Sequence, residues 1–170
     1  MKVILYMAIS IDGFVAKKNG DSNWVSEVDS INFQQNIKEV GCIIVGRRTF
    51  DQYQGDLYPA KEATNIVLTS DVSLKSETDN VVYVRSPNDA VRVAKEKGHN
   101  KALLIGGGTT NGLFLRAGLI DEIFLSVHPL ILGDGIKLFE KSEKDINLKL
   151  IGQKELGGDL IQLHYQVIQQ

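Results

Sequence analysis

The chain is poor in the residues that would make several functions easy to assign. It has one cysteine, Cys42, so an internal disulfide is excluded. Cys42 lies in the apolar run "CIIVG" and reads as a buried structural thiol, which fits a reducing, cytoplasmic setting. Three scattered histidines and that single cysteine show no metal-ligand spacing, and no zinc or iron site is expected. Charge is nearly balanced, with 19 Lys and Arg against 21 Asp and Glu. A nucleic-acid partner normally requires a basic excess, so none is expected. No apolar stretch approaches the ~18 residues of a membrane span. The opening "MKVILYMAIS" is broken at Ser10 and Asp12 and reads as a first strand, not a signal peptide. There is no G-x-S-x-G elbow, and no lysine follows the glycine cluster at Gly106. Both absences argue against serine hydrolases and P-loop NTPases.

What the chain does have is a series of short Val, Ile and Leu-rich runs: "KVILYMAI", "CIIVG", "NIVLTS", "VVYV", "KALLIG" and "EIFLSV". Strand-sized runs that are apolar on both faces predict a buried, mainly parallel sheet covered by helices. Helices are predicted between them. Ser26 is an N-cap with Asp29 three residues on, a capping-box pair, and Phe33, Ile37 and Val40 follow at helical spacing up to Gly41. Ser86 and Pro87 open a second helix with Ala90, Val91 and Ala94 on its inner stripe, ending at Gly98. A third, "TTNGLFLRAG", ends at Gly118. The tail reads as two strands turning at Gly157-Gly158-Asp159, with alternation from Leu160 to Val167 that predicts one buried face. The 170 residues read as one α/β domain, residues 1–170, closed by an antiparallel hairpin.

Ligands of open α/β sheets bind at the carboxyl ends of the strands, and here those ends are polar or glycine-rich. "IGGG" stands between a strand and a helix start, with Gly106, Gly108 and Gly112 spaced G-x-G-x-x-x-G. That is not the dinucleotide fingerprint, and it falls far from the first βα unit. Glycines before a helix N-terminus still suit an anion. "GRRTF" places Arg47, Arg48 and Thr49 at another helix start, where guanidinium groups suit phosphate. Thr69 and Ser70 either join such a site or cap a turn. Asp29 has two readings, a helix cap or an acid facing a cleft. His99, His128 and His164 carry no motif.

Taken together, "CIIVGRRTF", "NIVLTS" and "LLIGGG" resemble, in that order, three cofactor-binding strand ends of the dihydrofolate reductase-like superfamily. The resemblance covers nearly the whole chain. It implies a three-layer α/β/α fold, a cis Gly106-Gly107 peptide and NADPH as cofactor. The implied cofactor residues are Gly46, Arg47, Arg48, Thr49, Thr69, Ser70, Ile105, Gly106, Gly107, Gly108, Thr109 and Thr110. Arg47 and Ser70 would take the 2′-phosphate side, Arg48 and Thr49 the diphosphate.

Two branches contribute. "S-x-D-G" at Ser10 to Gly13, "GDSNWVS" and "GLIDEIFLSVHPLILGDGIKLF" are similar to the reductase domain of the riboflavin-pathway deaminase-reductase. The folate reductase branch is matched by the spacing of Trp24, Asp29 and Phe33, and by Ser126. That branch's glutamate-binding arginine is replaced by Ala63, and its proline by Asn23. Implied substrate-binding residues are Ser10, Trp24, Phe33 and Ser126, with Asp12 or Asp29 polarising the acceptor or relaying a proton. The implied activity resembles 5-amino-6-(5-phosphoribosylamino)uracil reductase. Dihydrofolate reduction and a catalytically silent NADPH-binding protein are the alternatives. Relatives of the riboflavin branch are often dimers, and the hairpin edge suits such contact.

Overall fold

The computed structural model describes residues 1–76, 78–141 and 145–168. In chain order the elements are β1 (Lys2–Ser10), β2 (Phe14–Ala16), α1 (Glu27–Val40), β3 (Cys42–Gly46), α2 (Arg47–Gln52), β4 (Thr64–Leu68), β5 (Val81–Val84), α3 (Pro87–Glu96), β6 (Lys101–Leu104), α4 (Gly108–Arg116), β7 (Glu122–His128), β8 (Ile136–Lys137), β9 (Leu148–Gly157) and β10 (Leu160–Val167). Every apolar run picked out above became a strand.

Eight strands form one sheet in the order β5-β4-β3-β6-β1-β7-β10-β9. It is parallel from β5 to β7 and antiparallel at β10 and β9. All five residues of β3 are buried, as expected for a central strand with a layer on each face. One core cluster includes Leu5, Ile44, Leu104 and Phe114 with Ala90 and Ala94 of α3. The opposite cluster includes Tyr6, Ile43, Val45 and Leu103 with Ile37 of α1 and Phe50 of α2. This is the expected three-layer α/β/α arrangement. Cys42 is fully buried, and burial pushes its thiol up to about 12, which makes it an inert core residue.

The helix caps are formed by the predicted residues. Ser26 and Ser86 each accept a hydrogen bond from the amide three positions on, Asp29 and Asp89. Gly41 ends α1 in the left-handed conformation at φ 68°.

Two features differ from expectation. β2 and β8 form a separate antiparallel pair, too short to carry a sequence pattern. The last strand has no fully buried face. Ile161 is 45% exposed, whereas Leu160, on the other alternation, is 3% exposed. A register shift between them re-aims the strand. The hairpin also lies beyond α3 and α4, which pack on β3, β4 and β5, so Tyr165 and Val167 are only partly buried.

Candidate active site

A cavity of about 520 Å³ opens at the carboxyl ends of the central strands, within the usual range for small-molecule sites. Its walls come from Tyr6, Met7 and Ala8 of β1, Asp29 and Phe33 of α1, Arg48 and Thr49 of α2, and Ile105 and Gly107 after β6. The segment from Lys18 to Val25 forms the remaining side. Tyr53 Oη fastens that segment, donating to Gly20 O at 3.1 Å and pairing with Ser22 Oγ at 2.7 Å.

Two strand ends meet beside the cavity. Gly46 N–H donates to Gly106 O at 2.8 Å. A Cβ on Gly46 would stand 2.3 Å from Thr110 Oγ1, so only glycine permits this approach. Gly106 has φ +99°, and the Gly106-Gly107 peptide is cis. From these ends start α2 and α4, and neither has a side-chain cap. Their first backbone amides are therefore open donors beside one another, a setting suited to an anion.

The basic residues divide. Arg48 is exposed and lines the cavity. Arg47 pairs with Asp51, Asp71 adds to the negative field around it, and Tyr83 of β5 lies nearby. Arg47 thus faces the ends of β4 and β5, where Thr69 and Ser70 lie. Ser70 is exposed, while Thr69 Oγ1 accepts from Asp71 N–H at 3.1 Å, so Thr69 caps a turn. Thr109 donates to Glu140, and buried Thr110 packs on Gly46.

Of the two candidate acids, only Asp29 lines the cavity. It is 2% exposed, and among the described residues its Oδ1 has no hydrogen-bond partner. Burial raises its pKa above the ordinary carboxylate value, and the Ser126 hydroxyl opposes that rise. Asp29 therefore does more than contribute its amide to a cap, for its side chain also lines the cavity. Asp12 lies outside the cavity lining. It accepts from Ser10 Oγ at 2.6 Å, Gly133 N–H at 2.7 Å and Leu132 N–H at 3.1 Å. These bonds, Ser10 foremost, hold its carboxyl below the usual range. Ser10 and Asp12 together fasten the loop after β7 to the end of β1.

Phe33 lines the cavity beside Tyr6, their ring centroids 5.9 Å apart. Ser126 and Trp24 sit behind that wall. Gln162 Nε2 donates to both Tyr6 Oη at 3.0 Å and Ser126 Oγ at 3.2 Å, joining β10 to the polar group around Asp29. Trp24 meets His128 edge-on at 5.1 Å. Tyr6, His128 and Gln162 carried no sequence signal, each belonging to a strand with an ordinary pattern, and Tyr53 stands in the turn after α2.

Among the described residues, no three His, Cys, Asp or Glu side chains cluster as metal ligands, and no helix is long and apolar enough to cross a membrane.

Comparison with known proteins gives the chain a family. The chain is 30% identical to the uncharacterized protein YwjB of Bacillus subtilis, covering 96% of this chain and 97% of YwjB. It is 25% identical to the 2,5-diamino-6-ribosylamino-4(3H)-pyrimidinone 5′-phosphate reductase of Methanothermobacter thermautotrophicus, over 94% of this chain and 95% of that enzyme. A crystal structure from Shewanella sp. PV-4, of a protein provisionally named for riboflavin biosynthesis, superposes with a TM-score of 0.81 at 26% identity. That match covers 99% of this chain and 100% of the other. The model of the RibD C-terminal domain matches residues 1–162. The chain therefore belongs to the RibD C-terminal domain family, a reductase-like branch of the dihydrofolate reductase-like fold.

Proposed function

We propose that the protein is an NADPH-dependent reductase that delivers hydride to a small heterocyclic or ribosylaminopyrimidine substrate. The observation that carries the reading is the Asp29 carboxyl. It is buried at the wall of a cavity whose other side is built from two uncapped helix starts. An end suited to an anion and a buried acid, facing one space, suit a phosphate-bearing cofactor and an N–H-bearing ring.

The residues fit that cofactor. The open amides at the start of α4, with Arg48 and Thr49, would hold the diphosphate. Arg47, beside Thr69 and Ser70, would take the 2′-phosphate by exchanging Asp51 for it. NADPH, when bound, supplies the hydride. Asp29 accepts a ring N–H when ionised and donates a proton when neutral, and burial extends its neutral form toward neutral pH. Phe33 offers an aromatic face to a flat ring. Ser10 and Asp12 act at a distance by holding the loop that closes on β1.

Thermal-shift measurement with NADPH and NADH, followed by nicotinamide oxidation with pyrimidine and pterin substrates, tests this. At 100 times its Kd a ligand adds about 2.7 kcal/mol. NADPH should stabilise the protein more than NADH does, and Arg47→Ala should abolish the difference. No stabilisation by either nucleotide would sink the proposal. Stabilisation without turnover of any substrate would identify a silent binding protein.

One observation favours a second reading. Asp29 with Trp24 and Phe33 keeps the folate reductase spacing, and Asp29 faces the cavity. Ala63, where a glutamate-binding arginine would stand, is only 6% exposed and offers no charge to a folate tail. An assay with dihydrofolate is expected to show weak or no turnover. Efficient turnover would favour this second reading.

A further inference from the structure

The capping box at the start of α1 is only half made. Ser26 Oγ accepts the Asp29 amide at 3.3 Å. In a complete box the residue at Asp29 would return the favour, its carboxylate accepting the Ser26 amide. That amide donates instead to His128 Nε2 at 3.1 Å, from 102 positions along the chain. A backbone N–H only donates, so Nε2 is the acceptor and the ring proton lies on Nδ1. Nδ1 in turn donates to Ser126 O at 3.1 Å. His128 is 3% exposed, and Trp24 packs edge-on against its ring at an interplanar angle of 85°. The imidazole is held on both nitrogens and packed against the Trp24 ring.

We propose that His128 is a positioning residue for Asp29: by occupying the Ser26 amide it keeps the Asp29 carboxyl out of the helix cap and turned into the cavity. Two places compete for this carboxylate. One is the helix N-terminus, where open amides and the helix dipole favour a negative charge. The other is the cavity wall, where Oδ1 has no partner and burial disfavours the charge. Local sequence alone favours the first. The imidazole removes the donor that would make it favourable, and the carboxyl is left facing the ligand space.

The inference rests on the reading of Asp29 as the substrate-facing acid only for its kinetic consequence. The position of the carboxyl is measurable without substrate. His128→Ala leaves the Ser26 amide without its acceptor. His128→Phe does the same while keeping a ring against Trp24. In both, the Asp29 carboxylate is expected to swing onto the amide. A carboxyl-labelled NMR titration should then show the Asp29 midpoint fall from above the ordinary aspartate value to that value or below. His128→Gln, whose side-chain oxygen can accept the amide, should restore the raised midpoint. In turnover assays the Ala and Phe variants should lose rate toward the level of Asp29→Asn, about 100-fold, with KM for NADPH unchanged and partial recovery in His128→Gln. An unchanged Asp29 midpoint in folded His128→Phe would overturn the proposal, as would a fall that His128→Gln does not reverse. If the wild-type protein turns over no substrate, the proposed function fails while the titration still decides this inference.

Discussion

Gly46→Ala isolates the contact that brings the two helix starts together. Gly46 has φ −74° and ψ 144°, a conformation that alanine adopts freely, so the substitution carries no backbone penalty. Its cost is steric. The new Cβ would lie 2.3 Å from Thr110 Oγ1, with Thr110 Cβ at 3.5 Å and Gly106 O at 3.6 Å. The last two are ordinary contacts and the first is an overlap. Thr110 is 6% exposed in the first turn of α4, so relief requires turning its side chain within a packed site or moving the start of that helix. Overpacking of this kind costs about 1–3 kcal/mol. A loss of 2 kcal/mol lowers Tm by roughly 4–8 °C in a protein of this size. Thr110→Ala removes the offending oxygen and leaves only the ordinary contacts. In that background Gly46→Ala should cost little, a coupling of about 1–2 kcal/mol in a double-mutant cycle. Urea or calorimetric unfolding of the four proteins measures it. Gly46→Ala alone should also reduce stabilisation by NADPH, because the displaced α4 start carries the open amides. A strictly additive cycle would refute the reasoning, since the destabilisation would then have nothing to do with Thr110.

Three further outcomes are expected. Asp29 has a folded-state pKa raised by burial; its contribution to stability is therefore full below the ordinary carboxylate range and is lost as pH rises through the raised value. Asp29→Asn should thus be more stable than wild type near neutral pH, with the gap closing on acidification, while turnover falls about 100-fold; a less stable variant at neutral pH would contradict the burial argument. Asp12 has the opposite sign, with a lowered pKa, so its contribution is present above the ordinary range and is lost as pH falls through the lowered value. Asp12→Ala should speed hydrogen exchange at the Leu132 and Gly133 amides and reduce turnover less than Asp29→Asn does; unchanged exchange would show that these bonds do not hold the loop. At the sheet edge, Leu148, Leu150 and Ile151 of β9 are 41%, 50% and 44% exposed, and we propose this edge as the contact between two copies of the chain. Leu150→Lys should convert a sedimenting dimer to monomer, and a wild-type protein that sediments as a monomer at high concentration would end that proposal.

The sequence by itself determined the strands of the main sheet, the helices and the class of the fold. Hydrophobic runs of strand length and serine caps are local properties, and each carries its own physical cause. The glycines and arginines after β3 and β6 also marked the end of the sheet where a site would lie. Tertiary structure decided what the polar residues do. The spacing of Ser26 and Asp29 specifies a capping box, yet His128 arrives from β7 and takes the amide. Ser10 and Asp12 stand at a strand end like site residues, yet the loop after β7 supplies the amides that occupy Asp12. The alternation in β10 foretold a buried face, yet a register shift at Ile161 and the hairpin's place beyond α3 and α4 leave it partly exposed. In each case the local pattern lists the bonds a residue can make. Which bond it makes depends on a competitor brought close only by folding, because a donor taken by one partner is closed to the other.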